Sequence, residues 1–350
     1  MGPAGMQKQS RARTILNGIF GFSEYRGEQG SVIAALLGGR SSLLLMPTGM
    51  GKSLCYQLPA RLFAEEGLGL TLVISPLIAL MKDQVDAALS KRLKAAFINS
   101  SLTGEERAAR YRRLAAGEYE LLYVTPERFR IPEFREALAK NRIALLAVDE
   151  AHCISSWGHD FRPDYSRLGE IRESLGRPLT LALTATATPQ VQTDILSQLG
   201  LADAEIFNSG VARPNLALSV TDVHGLDEKV RAFVAFRHLT PGPAIVYFSL
   251  ISTLRKFSDE ISRLGIAHLT YHGQMHDKDR KRTQEAFLAS EDGVILVSRG
   301  GISSRPDSIL GEPLRDDERR VMPSNNHHTN WIEAIRGKAR ELARRHGERF

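Results

Sequence analysis

The chain has 350 residues, 43% of them apolar, with 46 Lys and Arg against 40 Asp and Glu for a net charge of +6. That length exceeds one ordinary domain and predicts two, each with a substantial core, and the mild positive balance suits a polyanion partner without requiring one. Two cysteines, Cys55 and Cys153, in separate segments exclude a disulfide framework and a four-cysteine zinc site.

The N-terminal stretch Met1 to Arg13 is polar and basic with no apolar centre, so no signal peptide is expected there. The longest apolar stretch, Leu70 to Met81, is too short to span a membrane and contains Ser75 and Pro76. A reducing cytoplasmic, nucleoid-associated location with no membrane partner is the default expectation.

In chain order, the first informative segment is Phe20-Gly21-Phe22-Ser23-Glu24-Tyr25-Arg26-Gly27-Glu28-Gln29. Next comes an apolar run, Leu43-Leu44-Leu45, followed by Met46-Pro47-Thr48-Gly49-Met50-Gly51-Lys52-Ser53 and a predicted helix from Lys52 at least to Leu58. Strand, glycine-rich turn and helix N-terminus in that order form a phosphate-binding loop. Gly49 and Gly51 let successive backbone N–H groups curl around an anion, Lys52 reaches the β- and γ-phosphates, and the Ser53 hydroxyl meets Mg²⁺. Met46 stands where the general GxxxxGK[ST] pattern begins with Gly, so that pattern is missed by one residue.

Two turns follow further strand-like runs: Val73-Ile74-Ser75-Pro76-Leu77-Ile78-Ala79-Leu80-Met81-Lys82-Asp83-Gln84 and Tyr123-Val124-Thr125-Pro126-Glu127-Arg128-Phe129. Pro76 and Pro126 are predicted in first helical turns, where a missing N–H costs no hydrogen bond. Hydroxyls and N–H groups presented there suit the phosphates of a single strand, and ordinary helix capping is the alternative.

The run Ile143 to Val148 places Asp149 and Glu150 at the C-terminal end of a buried strand, where α/β proteins keep their ligands. Asp149 would hold Mg²⁺ and Glu150 would orient or deprotonate the attacking water; a solvated corner is the bland alternative. Directly after come Cys153-Ile154-Ser155-Ser156-Trp157-Gly158-His159-Asp160-Phe161-Arg162-Pro163-Asp164-Tyr165 and then Leu183-Thr184-Ala185-Thr186-Ala187-Thr188-Pro189. Trp157 and Phe161 can stack on bases and Arg162 can meet phosphate, against the alternative of a hydrophobic lid over the sheet. Short hydroxyl bonds from Thr184 and Thr186 would link the acidic pair to the cleft, with strand-end turn chemistry as the competing account.

Strand-like runs near 43–46, 70–75, 95–98, 121–124, 143–148 and 179–183 form a first set, and those near 216–221, 243–248, 266–270 and 293–297 a second. Alternating with helical patterns, they predict an α/β fold of parallel sheets covered by helices.

These motifs, in this order, closely resemble the RecQ family of superfamily-two DNA helicases over roughly residues 14–298. The resemblance implies two RecA-like P-loop lobes, 1–210 complete and 211–298 partial, followed by a divergent basic segment, 299–350. It implies ATP and Mg²⁺ as cofactors, single-stranded and forked DNA as partners, and 3′-to-5′ unwinding in repair and recombination. Residue by residue, it assigns the adenine to Gln29 between Phe22 and Arg26, and the phosphates to Thr48, Gly49, Met50, Gly51, Lys52 and Ser53. Catalysis falls to Lys52, Asp149, Glu150 and His152, with Ser53 and Asp149 on the metal. Ser75, Leu77, Thr125, Trp157, Phe161, Arg162, Thr184 and Thr186 become DNA-binding or coupling residues. Ser156 departs from the Gln expected there and puts one contact in doubt.

In the second set, Ala212-Arg213-Pro214-Asn215-Leu216, Ile245-Val246-Tyr247-Phe248-Ser249 and Tyr271-His272-Gly273-Gln274-Met275 resemble the family's second lobe. Tyr271 and His272 would touch the strand, or else form a half-buried pair at a strand end. Beyond Ser298 the resemblance fails: Gly300-Gly301-Ile302-Ser303-Ser304-Arg305-Pro306-Asp307 lacks the expected Asp, and the motif that supplies an arginine finger is absent. Residues 299–350 hold 11 basic and 8 acidic side chains, with a predicted helix capped by Asn330 and Glu333 that carries Trp331, Ile332, Ile335, Ala339 and Leu342 on one face. Two alternatives to a helicase remain open at this point: a DNA-dependent ATPase switch without unwinding, and a non-catalytic nucleic-acid-binding fragment.

Overall fold

The computed structural model describes residues 3–157, 161–210, 217 and 219–298. Residues up to 210 form one compact unit and those from 217 onward form another. The expected divergent segment, 299–350 with its terminal helix, lies outside the described residues.

In the first unit the elements run α1 (Pro3–Ile15), α2 (Gln29–Leu37), β1 (Ser42–Leu45), α3 (Leu54–Glu65), β2 (Leu70–Ile74), α4 (Ile78–Ser90), β3 (Ala95–Ile98), α5 (Gly104–Ala115) and β4 (Leu121–Val124). They continue with α6 (Pro132–Leu138), β5 (Ile143–Val148), α7 (Leu168–Ser174), β6 (Thr180–Thr184), α8 (Pro189–Gln198) and β7 (Glu205–Asn208). The seven strands make one parallel sheet in the order β3-β4-β2-β5-β6-β1-β7.

Alternation along each strand divides the core in two. Leu44, Val73, Tyr123, Leu145, Leu181 and Leu183 point to one face, where Leu36, Tyr56, Leu58 and Phe63 of α2 and α3 cover them. Leu43, Leu45, Leu72, Ile74, Leu122, Leu146 and Val148 point to the other, against Phe134 of α6 and Ile195 of α8. Strands covered on both sides read as unbroken apolar runs, which is why six of the seven are visible in the sequence. β7 is not, because it is an edge strand whose residues Glu205, Ile206, Phe207 and Asn208 are half-buried or exposed in turn.

The second unit contains α9 (Gly225–Leu239), β8 (Ala244–Phe248), α10 (Ile251–Arg263), β9 (Leu269–His272), α11 (Asp277–Ala289) and β10 (Val294–Ser298). Its parallel sheet has the order β8-β10-β9, with Leu254, Phe257 and Ile261 of α10 packed beneath Val294 and Leu296.

The structure corrects four sequence expectations. Residues 217 and 219–224 form no strand, so the run near 216–221 contributes none among the described residues. The helix after the phosphate loop starts at Leu54 rather than Lys52, because Gly51 at φ 87° must first turn the chain. Pro76 precedes α4, whose first residue is Ile78, whereas Pro126 does open a short 3₁₀ turn, Pro126–Arg130. β9 spans Leu269–His272 instead of 266–270.

Candidate nucleotide site and nucleic-acid face

Sheet order decides which loops meet. The C-terminal ends of β4, β2, β5, β6 and β1 lie side by side, carrying Thr125, Ser75, Asp149, Thr184 and the 46–53 loop respectively. Adjacent strands are about 4.8 Å apart, so the loop and the acidic pair, two strands away, face each other across about 10 Å.

The loop is built around two backbone reversals, Gly49 at φ 95° and Gly51 at φ 87°, in a region that side chains disfavour. Met46 needs no such freedom. Its side chain is buried in the core, its N–H donates to the Thr184 carbonyl at 3.0 Å, and its carbonyl accepts from Lys52 Nζ at 3.2 Å. This accounts for a methionine where the general pattern has glycine. Thr48 is partly exposed, Met50 is exposed, and Ser53 precedes the first turn of α3.

Gln29 is buried, and its amide is committed to the loop. Nε2 donates to the carbonyls of Met50 and Gly51, each at 3.0 Å, while Oε1 accepts from the Arg26 N–H at 2.9 Å. A Cβ on Gly51 would stand 2.6 Å from that Nε2, so the glycine serves both the turn and the contact. Phe22 and Arg26 are exposed, with the Lys91 ammonium 5.7 Å from the Phe22 ring centroid.

Asp149 ends β5 with its N–H bonded to the Ile74 carbonyl, its Oδ1 accepting from the Glu150 N–H at 3.0 Å and its carbonyl accepting from Tyr165 Oη at 3.1 Å. Glu150 is held at φ 50°, ψ 45°, a left-handed conformation that costs a residue with a Cβ about 1–2 kcal/mol. His152 connects this pair to β6. Its Nδ1 lies 3.4 Å from Glu150 Oε2 and 3.0 Å from Thr184 Oγ1, which in turn donates to the Thr186 carbonyl at 3.0 Å. Of the two hydroxyls expected to make this link, Thr184 supplies it, through His152, and Thr186 takes part with its backbone carbonyl and N–H.

The aromatic segment begins from a fixed base. Ser155 Oγ donates to Asp194 Oδ2 at 2.6 Å and accepts the Trp157 N–H at 3.2 Å. Trp157 is 75% exposed and Phe161 43% exposed. Arg162 reaches across to the next strand end, its backbone N–H on the Cys153 carbonyl and Nη1 on the Pro76 carbonyl at 3.3 Å. It ties the segment after the acidic pair to the turn that holds Ser75.

Ser75, Leu77 and Thr125 are all buried; Ser75 Oγ accepts the Leu77 N–H at 3.4 Å, and Thr125 makes no side-chain cap. In the second unit Tyr271 is packed against Phe287, Ile295 and Val297. His272 is half-buried, and burial, reinforced by Arg255, holds its imidazole below the usual range and so uncharged at neutral pH. Reading the sequence missed Tyr165, Asp194 and the role of the Met46 carbonyl, since hydrogen bonds between distant segments leave no local pattern.

Residues 26–195 match the DEAD/DEAH box helicase family. The chain is 37% identical over 287 residues to the ATP-dependent DNA helicase RecQ of Haemophilus influenzae, covering 82% of this chain and 45% of that protein. It is 39% identical over 290 residues to the ATP-dependent DNA helicase RecQ of Bacillus subtilis, covering 82% and 48%. The chain thus spans a little under half the length of these curated relatives. Among solved structures, the helicase Lhr of Mycobacterium smegmatis bound to ssDNA and AMP-PNP shares the fold with a TM-score of 0.57 at 18% identity, over 82% of this chain and 41% of that one. Motif order, parallel-sheet architecture and the identity carried through both units agree, and the chain belongs to the RecQ family of DEAD/DEAH box helicases.

Proposed function

We propose that this chain binds and hydrolyses ATP with Mg²⁺ and couples hydrolysis to 3′-to-5′ movement along single-stranded or forked DNA, in the service of repair and recombination. The observation that carries the reading is the alignment of strand ends, with the phosphate loop on β1, the acidic pair on β5 and the candidate DNA contacts on β2 and β4. The domain division proposed is a first lobe, 1–210, and a partial second lobe, 211–298.

Within this reading Lys52 neutralises the β- and γ-phosphates, and the loop N–H groups cradle them. Among the described residues no cluster of three or more acidic, His or Cys side chains exists to hold a metal ion. Mg²⁺ does not need one, since it keeps water and phosphate oxygens and takes one or two protein ligands. Ser53 and Asp149 fit that requirement, and the cation would supply charge neutralisation of the phosphates. Glu150 accepts the proton of the attacking water, with His152 fixing the carboxylate and passing its position to Thr184.

Lys52→Ala is expected to lose about 10²–10³-fold in ATP turnover, as for removal of one fixed positive or donor group. Melting should fall only slightly, because the one described hydrogen bond lost is that from Lys52 Nζ to the Met46 carbonyl, worth about 0.5–1.5 kcal/mol. Normal turnover in this variant would remove the loop from the site.

Trp157→Ala tests the coupling. Stacking contributes about 1–3 kcal/mol per base, so affinity for a single strand should fall modestly while DNA stimulation of hydrolysis is largely lost. Stimulation that survives with reduced basal hydrolysis would make the aromatic segment a packing element. A switch that hydrolyses without unwinding is the second reading, and forked-duplex displacement separates the two.

A further inference from the structure

The helix after β6 holds the start of the aromatic segment with side chains that hydrolysis as described does not use. Asp194 and Gln198 stand four residues apart on α8 and so share a face. Asp194 Oδ2 accepts the Ser155 hydroxyl at 2.6 Å, and Gln198 Nε2 donates to the Ile154 carbonyl at 3.4 Å. Asp194 Oδ1 accepts from Gln190 Nε2 at 3.5 Å, one turn earlier on the same helix. Ser155 is fully buried, and its Oγ in turn accepts the Trp157 N–H at 3.2 Å. A line of bonds thus runs from α8 through Ser155 to the backbone of Trp157.

Packing alone does not call for this line. Ile195, beside Asp194 on α8, is fully buried in one core cluster with Cys153 and Ile154, which already docks the helix on the segment. Alanine at 155 would spare the fold a buried hydroxyl, which is unfavourable unless bonded. What the bond adds is direction, since a hydroxyl on a carboxylate makes a short, charge-assisted contact. Ser155 is also where that direction matters. It is the last buried residue before the exposed Trp157, and one 3₁₀ turn, Ala151–Ile154, separates it from Glu150. The far end of the segment returns to the same turn, where the Arg162 N–H donates to the Cys153 carbonyl at 3.0 Å.

We propose that Asp194, acting through Ser155, is a positioning residue that fixes the aromatic segment relative to Glu150, so that a strand meeting Trp157 is felt at the acidic pair. Without the bond the ring still meets a base, but its displacement is absorbed between Trp157 and the 3₁₀ turn. Gln198 assists by holding the Ile154 carbonyl. The inference rests on Trp157 being a contact for single-stranded DNA, as proposed above.

The test uses the full chain carrying Trp331→Phe, which leaves Trp157 as its one tryptophan. Fluorescence anisotropy of Trp157 is read beside ATP turnover, with and without a single-stranded oligonucleotide. Asp194→Ala should lower the anisotropy, keep basal turnover at the parental value and cut stimulation by DNA about tenfold, within the range of coupling between two sites. Ser155→Ala should do the same, and the double variant no more than either single, because each deletes the same bond. Asp194→Asn keeps an acceptor oxygen and should restore most of the stimulation. Parental stimulation or parental anisotropy in Asp194→Ala overturns the proposal, and so does an equal loss of basal and stimulated turnover, which marks a folding role. If Asp194→Ala does not fold, Ser155→Thr, which keeps the hydroxyl, is compared with Ser155→Ala, and equal stimulation in the two overturns the proposal. Stimulation that survives Trp157→Ala removes the strand contact and this inference with it; if Trp157→Ala loses stimulation and Asp194→Ala does not, only the positioning role is lost.

Discussion

Glu150→Gln is expected to bind Mg²⁺-ATP and single-stranded DNA as the parent does, and to hydrolyse ATP about 10²–10⁴-fold more slowly, the range assigned to a positioned general base. The substitution is close to isosteric. It keeps the backbone turn at φ 50° and leaves a side-chain oxygen to face His152 Nδ1, so the contact at 3.4 Å and the link onward to Thr184 have no steric reason to break. What is lost is an oxygen basic enough to take the proton of water. Single-turnover hydrolysis of labelled ATP reads that step apart from product release. A parental rate would move the role of base elsewhere, and weakened nucleotide binding would make Glu150 part of the metal site.

The second large effect concerns the 350-residue chain itself. It is expected to bind Mg²⁺-ATP and single-stranded DNA yet to displace a forked duplex poorly or not at all. Binding draws on the loop, Lys52 and the metal, all in the first unit, whereas turnover in this class of reaction leans on an arginine finger worth about 10³–10⁵ in rate, or roughly 4–7 kcal/mol. No glutamine-and-arginine motif follows Ser298 in the sequence. Arg336, Arg340, Arg344 and Arg345 lie outside the described residues, and no spacing singles out one of them. Labelled ATP binding beside a displacement assay measures both halves of the expectation. Robust ATP-driven displacement would show that residues 299–350 supply the missing group.

Much of the first unit was legible because buried parallel strands are continuous apolar runs, and because the loop and acidic pair are fixed to the ends of two of them. What escaped was of three kinds. β7 is too exposed at the sheet edge to stand out. α1, read only as a polar, basic stretch, buries Ala12 and Ile15, too few apolar residues to show a period by themselves. The third kind is side-chain geometry: Gln29 spends both amide hydrogens on the phosphate loop, and the Tyr123 hydroxyl of β4 meets Tyr56 of α3, arrangements that depend on which elements become neighbours. The run near 216–221 shows the converse, an apolar pattern that makes no strand among its described residues.

With Glu150 as the base proposed above, its left-handed backbone sets the interests of the fold against those of the reaction. Any residue with a Cβ is strained there, and glycine would relieve that strain while deleting the carboxylate. A screen of this chain for thermal resistance alone would therefore favour glycine at position 150 and discard turnover in the same step. A screen for turnover would keep a carboxylate that the fold tolerates at its own expense. Engineering for robustness should hold position 150 fixed and seek its gains on surfaces away from the end of β5.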